Sequence, residues 1–430
     1  MAEIKGFRGW RYNPEKVKKL AGVVAPPYDV ISKKEQDVFY RKHPANVIRL
    51  ILGKDKTKDS FKNNRYTRAR EFLQSWIVSG ILVEDRSPSV YVYVQDYREE
   101  GRKKTRVGFI AAMRLDKKSV LRHENTLAGP KKDRLALLKE VRTNLSPIFG
   151  LFEDKDASTR NLLKETLKTK PALDVAIDGV RHRIFVEGRD GLLGKLCREM
   201  KPKPVFIADG HHRFEVACEF KRWMQLRFPK DRNAPWNYVM MYFSDCVHNP
   251  FKIYPTHRLL KFPKGMKNPV RVLSGKGKLV PVKNINAVLS RLAKNRAELS
   301  RTRYDFGIYT KKNGFFFFTL DKKLSDKIGK NPARRLDVAV LHDVIVAPCF
   351  GLKKIEKSEA IDFTRDAGGA VQRVRNGEFD IAIFLRPTSL KEMIEVSKKG
   401  LKMPQKSTYF YPKLLSGLVF HHLNDGVPAL

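Results

Sequence analysis

The stretch PVFIADGHHRFEVACEFKRWMQLRF, residues 204–228, constrains the fold most. Its first half is a continuous apolar run, the mark of a strand buried on both faces. Its second half has helical spacing, with Val216, Phe220, Trp223 and Leu226 expected on the inner face. Only Asp209 and Gly210 separate the two. A buried strand passing straight into a helix belongs to a sheet covered by helices, so the chain is expected to be α+β, mixed α/β.

The rest of the chain agrees. VYVYVQDY (90–97) and TRVGFIAAMRL (105–115) flank a polar turn and predict a hairpin. NYVMMYFSD (237–245) predicts another buried strand, and NVIRLIL (46–52) is read as a strand as well. Phe61, Ala69, Phe72, Leu73, Trp76 and Ile77 recur at helical spacing and predict a helix over 60–80. Toward the C-terminus the pattern predicts helices near 284–296 and 335–347 and a hairpin across GFFFF (314–318). Two domains are expected, 1–255 carrying the site and 256–430 without an assigned role. The four cysteines, with no CxxC pair, read as buried thiols and not as a zinc or disulfide framework. No apolar run is long enough to span a bilayer and the first residues are not a signal peptide, so a cytoplasmic protein without membrane contact is expected.

Composition raises one question of function. Lys and Arg total 86 against 46 Asp and Glu, a net charge of +40. Each full window of fifty holds between 8 and 13 basic residues, so no tail or arm concentrates the charge. Nucleic acid is therefore the less favoured partner, and a small molecule the more favoured one.

The chemistry-bearing residues lie in a few segments. In ADGHHR (208–213) a strand becomes a helix, and the first-turn N–H groups with the helix dipole favour an anion. Gly210 permits close approach, Arg213 adds a forked donor, and His211 and His212 add donors that titrate near neutrality. Asp209 either caps the helix or meets Mg²⁺ beside a phosphate. Two adjacent histidines point about 100° apart on a helix, so a zinc site is disfavoured. In RHENTLAGPKKDR (122–134), Glu124 is a loop carboxylate suited to a general base, with His123, Thr126, Lys131 and Arg134 around it. APPYDVI (25–31) places Asp29 where it would cap the next helix. YPTHRLL (254–260) contributes Arg258, and QKSTYFYPK (405–413) reads as a polar, aromatic edge strand. The P-loop, the GxGxxG fingerprint and the GxSxG elbow are all absent.

These segments, together with MPQKSTYFYPKLLSGLVF near the C-terminus, resemble in order the signature of the domain of unknown function 1015 family. That family is similar at fold level to the ParB/sulfiredoxin superfamily, which includes nucleotide-dependent kinases of free serine. The resemblance implies that Gly210–Arg213 meets nucleotide phosphates, from ATP or ADP, and phosphate chemistry adds Mg²⁺ with Asp209 as its ligand. On that reading the loop carboxylate Glu124, with His211 and His212, serves transfer to the hydroxyl of serine or a related acid. His123, Thr126, Lys131, Arg134 and Arg258 would then hold the acceptor. Sulfiredoxins carry GCHRYE where this chain has GHHRFE, so His211 replaces the catalytic cysteine and their chemistry is not expected. The alternative is a ParB-like regulatory protein that binds nucleotide or nucleic acid without turnover, although no helix-turn-helix pattern follows residue 230.

Overall fold

The hairpin at 90–115 forms the middle of a sheet in the computed structural model. The structure describes residues 2–126, 128–229, 231, 233–262, 265–266, 269–294, 303–352 and 360–423. They form two compact units. The first comprises 1–121, 126–251 and 412 onward; the second comprises 122–125 and 252–411.

Nine strands of the first unit make one mixed sheet among the described residues. In chain order they are β1 (Ile4–Lys5), β2 (Val90–Glu99), β3 (Arg102–Arg114), β4 (Val120–Leu121), β5 (Ile148–Phe152), β6 (Leu173–Ile177), β7 (Val180–Glu187), β8 (Val205–Asp209) and β9 (Tyr238–Asp245). Their spatial order is β4-β8-β5-β9-β3-β2-β7-β6, with β1 beside β3. Side chains alternate along β2, so Val90, Val92 and Val94 enter one core with Phe109, Ile207, Phe214 and Phe243. Each such side chain, fully buried, contributes about 1.5–3 kcal/mol.

The opposite face of β2 is also buried but polar. Tyr93 Oη lies 2.6 Å from His182 Nδ1, and Arg106 Nε donates to Gln95 Oε1 at 3.0 Å. Gln95 and Arg106 then hold the returning chain. Gln95 Nε2 donates to Lys413 O at 3.0 Å, and Arg106 Nη2 to Pro412 O at 2.6 Å.

The helices of this unit include α1 (Lys33–Lys42), α2 (Ile48–Ile51), α3 (Arg65–Val78), α4 (Ala128–Val141), α5 (Asp190–Met200) and α6 (His211–Gln225). Several expectations are corrected here. NVIRLIL is helical, not a strand: a short apolar run buried all round has no periodicity to separate the two states. Helix α3 begins only at Arg65, where Asn64 caps it, and Phe61 is 96% exposed. Ser32, in a capping box with Glu35, starts α1 in place of Asp29. On α6 the inner stripe is Phe214, Val216, Ala217, Phe220 and Met224, and Leu226 is 85% exposed. Of the four free cysteines only Cys349 is buried, the others being half-buried, and burial raises its thiol pKa.

The second unit has its own antiparallel sheet of β10 (His257–Leu260), β11 (Gly277–Val282), β12 (Asp305–Thr310), β13 (Gly314–Leu320), β14 (Ile361–Thr364) and β15 (Ile381–Phe384). The order is β11-β13-β12-β15-β10-β14. Helices α7 (Ile285–Lys294), α8 (Ala367–Arg375) and α9 (Leu390–Lys398) accompany it. The end of the helix expected near 284–296 lies outside the described residues. The helix expected near 335–347 contains a π-helical stretch at Leu341–Val346. Lys252–Tyr254 pairs with Tyr409–Tyr411 as a separate ribbon. No helix among the described residues is long and apolar enough to cross a membrane.

Candidate functional site

Strand β8 reaches its last residue through a register shift between Ile207 and Asp209. Such a bulge re-aims the side chain that follows it. Gly210 then takes φ +94° and stands as the N-cap of α6. A Cβ there would lie 3.0 Å from the Arg213 guanidinium, so both backbone conformation and space call for glycine.

Gly210, and not Asp209, holds the N-cap position. Asp209 Oδ2 accepts from Arg213 Nη2 at 3.4 Å, and its Oδ1 lies 3.3 Å from Lys413 Nζ. Arg213 Nη1 also donates to Pro147 O, which fixes the guanidinium across the first turn. Lys413 is in place because Gln95 and Arg106 hold the backbone beside it. The local sequence suggests only an edge strand for Lys413; nothing in its pattern reveals a partner some two hundred residues away. His211 is buried and His212 half-buried on the same turn.

A half-open cleft of about 550 Å³ runs alongside Arg213. Its walls are apolar (Leu137, Ile148, Val216 and Val239 among them), and Tyr28, Arg134 and Ser146 add polar groups. The Arg134 guanidinium sits 4.1 Å from the centre of the Tyr28 ring and donates to Ile51 O at 2.6 Å. Burial, with Asp29 adding to it, pushes the Tyr28 hydroxyl up to about 12 despite the nearby Arg134 and Arg213. Asp133 anchors Arg134 at 2.7 Å and also accepts from Arg65 at 2.6 Å and Tyr66 at 2.7 Å. Burial alone would raise the Asp133 carboxyl; Arg134, Tyr66 and Arg65 outweigh it and hold it below the usual range. Tyr28, Tyr66 and Asp133 were not among the expected site residues.

Thr126 and Lys131 converge on Glu215 of α6, Lys131 at 3.2 Å. The remaining expected residues belong to the second unit. His123 is fully buried, and burial with Lys402 draws its imidazole down to about 3, so it is neutral at pH 7. Glu124 Oε1 accepts from Lys406 N at 3.3 Å, and Met403 N donates to His123 O at 2.7 Å. Arg258, expected at a substrate carboxylate, is 1% exposed. It donates to His342 Nε2 at 3.3 Å, to Lys406 O at 3.3 Å and to Thr256 O, so its donors are engaged inside the unit.

Fold and junction together define an α+β protein in which a left-handed glycine opens a helix beside a guanidinium and a half-apolar cleft. The chain belongs to the family described as protein of unknown function (DUF1015), whose pattern it matches over residues 4–339. No curated protein matches the chain. Among solved structures it is similar to a free serine kinase variant in complex with AMP, with TM-score 0.36 and 12% identity over 70% of this chain and 87% of that one. It is also similar to a conserved hypothetical protein from Pyrococcus furiosus, with TM-score 0.34 and 12% identity over 71% and 92%. A third similar structure is C-terminally truncated SbnI from Staphylococcus aureus, with TM-score 0.36 and 12% identity over 71% and 85%.

Proposed function

We propose that the first unit binds a nucleotide, ATP or ADP, with its phosphates against the start of α6. We further propose that the chain transfers a phosphoryl group to the hydroxyl of a small amino or hydroxy acid of the serine class. The observation that carries this reading is the junction itself. Gly210 opens α6 directly beneath the clamped Arg213 guanidinium, and the apolar cleft lined by Tyr28 and Arg134 lies alongside. Helix N–H groups and a forked cation suit phosphate oxygens, and apolar walls suit a nucleoside.

In this reading one P–O bond to the leaving nucleotide breaks as another forms to the acceptor oxygen. The acceptor proton passes to a carboxylate, for which Glu124 is the candidate. Such transfer rests mainly on positioning and charge stabilisation, so few protein groups suffice. The fit for Mg²⁺ at Asp209 is poor, because each of its oxygens already faces a cation, Arg213 or Lys413. No step is assigned to the ion.

Titration calorimetry with ATP, ADP and AMP tests the binding half. Arg213→Gln should weaken binding about tenfold or more, in line with loss of a charge-assisted contact. Glu124→Gln should keep nucleotide affinity and lose transfer to serine-class acceptors. A chain that binds no nucleotide at millimolar concentration overturns the reading.

A further inference from the structure

The second unit holds a cleft of about 740 Å³ that the proposed phosphoryl transfer does not use. It is lined by Arg303 and Tyr304, by Arg335 and Asp337, and by Arg386 with the first turns of α9. Arg335 is hydrogen-bonded to the Tyr304 hydroxyl, and the other charged groups fall into two kinds.

One kind is already neutralised. Arg386 grips Asp337 with two parallel bonds of 2.7 and 2.8 Å, and the side chains are only 9% and 17% exposed. Burial raises the Asp337 carboxyl even with Arg386 beside it. A desolvated pair of this sort adds little to stability over an apolar floor, so its place in a cleft wall asks for another explanation.

The other kind is open. Arg303 meets Asp305 through Nε alone, at 3.2 and 3.1 Å, so among the described residues both terminal nitrogens are left for the cleft. Its side chain is 57% exposed. Glu392 uses Oε2 in the capping box of α9, accepting from Ser389 N and Ser389 Oγ at 2.7 Å each. Its Oε1 takes no bond among the described residues. Glu395 stands three residues on, on the same side of the helix, but its Oε1 already pairs with Lys399 Nζ at 3.4 Å. The cleft thus presents the Arg303 fork and the Glu392 carboxylate across a floor where Arg386 and Asp337 neutralise each other.

A simple anion would meet Arg303 but be repelled by Glu392. A simple cation would meet the reverse. We infer that this cleft is a binding site for a small zwitterion of the free amino acid class, its carboxylate on Arg303 and its ammonium on Glu392. The site is independent of the nucleotide reading and needs no turnover.

Calorimetry on the full chain without nucleotide tests it. The probes are α-amino acids at millimolar concentration, beside matched molecules that lack the ammonium or lack the carboxylate. Amino acids should bind, and both single-charge sets should bind at least about tenfold more weakly. Arg303→Gln and Glu392→Gln should each weaken binding about tenfold or more. Glutamine at position 392 can still close the capping box, so that variant changes the charge and not the helix start. Arg213→Gln should leave this binding unchanged, which separates it from the first unit. Equal binding of the single-charge probes overturns the inference. So does amino acid binding that survives both second-unit variants, or no binding at all.

Discussion

Gly210→Ala probes the junction at its tightest point. A residue with a Cβ pays roughly 1–2 kcal/mol in the left-handed region. The new Cβ would also stand 3.0 Å from Cζ and Nη2 of Arg213 and 3.1 Å from its Nε. The guanidinium must then move away from Pro147 O and Asp209. A charged hydrogen bond is worth about 1.5–3 kcal/mol; the 3.4 Å Asp209 contact and partial exposure put this loss toward the lower end. Together the change should destabilise the first unit by about 2–4 kcal/mol. Gly101→Ala supplies the comparison, because Gly101 has φ +78° with nothing within 4 Å of the methyl that alanine would add, and so loses only the conformational part. All four tryptophans, Trp10, Trp76, Trp223 and Trp236, belong to the first unit, so urea unfolding followed by their fluorescence reads that unit alone. Gly210→Ala should lose clearly more stability than Gly101→Ala and should also bind nucleotide more weakly. Equal losses would refute the argument that Arg213 is held by the space above Gly210.

Two further outcomes follow from the same geometry. Burial, with Arg106 adding to it, draws the His182 imidazole down to about 3, so it stays neutral in the folded chain while the unfolded chain takes up a proton near 6.5. This stability is complete above pH 6.5 and is lost as pH falls; by pH 5 one such histidine removes about 2 kcal/mol. His182→Phe should show that much less acid sensitivity than the parent in urea titrations at pH 7 and pH 5, and an unchanged gap would count against it. Arg134→Lys keeps the charge but cannot bridge Ile51 O and Asp133 while lying over Tyr28. It should cost about 1–2 kcal/mol of stability and several-fold in nucleotide affinity, measured by the same two assays; parental values for both would remove Arg134 from the site.

The parts of the fold that were legible in the sequence share one property: a period long enough to be unambiguous. Ten residues of alternating β2 and the run into β8 identify themselves. NVIRLIL does not, because its burial on all sides erases the period. Leu226 and Phe61 show the opposite failure, where the apolar stripe extends past the true helix end or start. At the candidate site, the glycine that opens the helix ahead of Arg213 was legible, because an apolar strand, a glycine and a helical period follow directly on one another. The Asp209–Lys413 pair and the Tyr28–Arg134 stack join residues far apart in sequence and leave no local trace, whereas the Asp209–Arg213 pair is local, at i and i+4. Arg258 looked available because a sequence shows its charge and not its 1% exposure.

The return of the chain at Pro412 has a consequence for how the protein is made. The first unit is not complete when its sheet has been synthesised. Lys413, the partner of Asp209, and His421–His422, which pair with Thr143–Asn144, emerge only after the whole second unit. During synthesis the polar face of β2 must wait with Gln95 and Arg106 lacking the carbonyls of 412 and 413. Closing so long a loop is slow and leaves that face exposed in the meantime. Residues 412 and 413 therefore lock strands β2 and β3 from more than three hundred residues further on, and the junction at Gly210 is finished only at that moment.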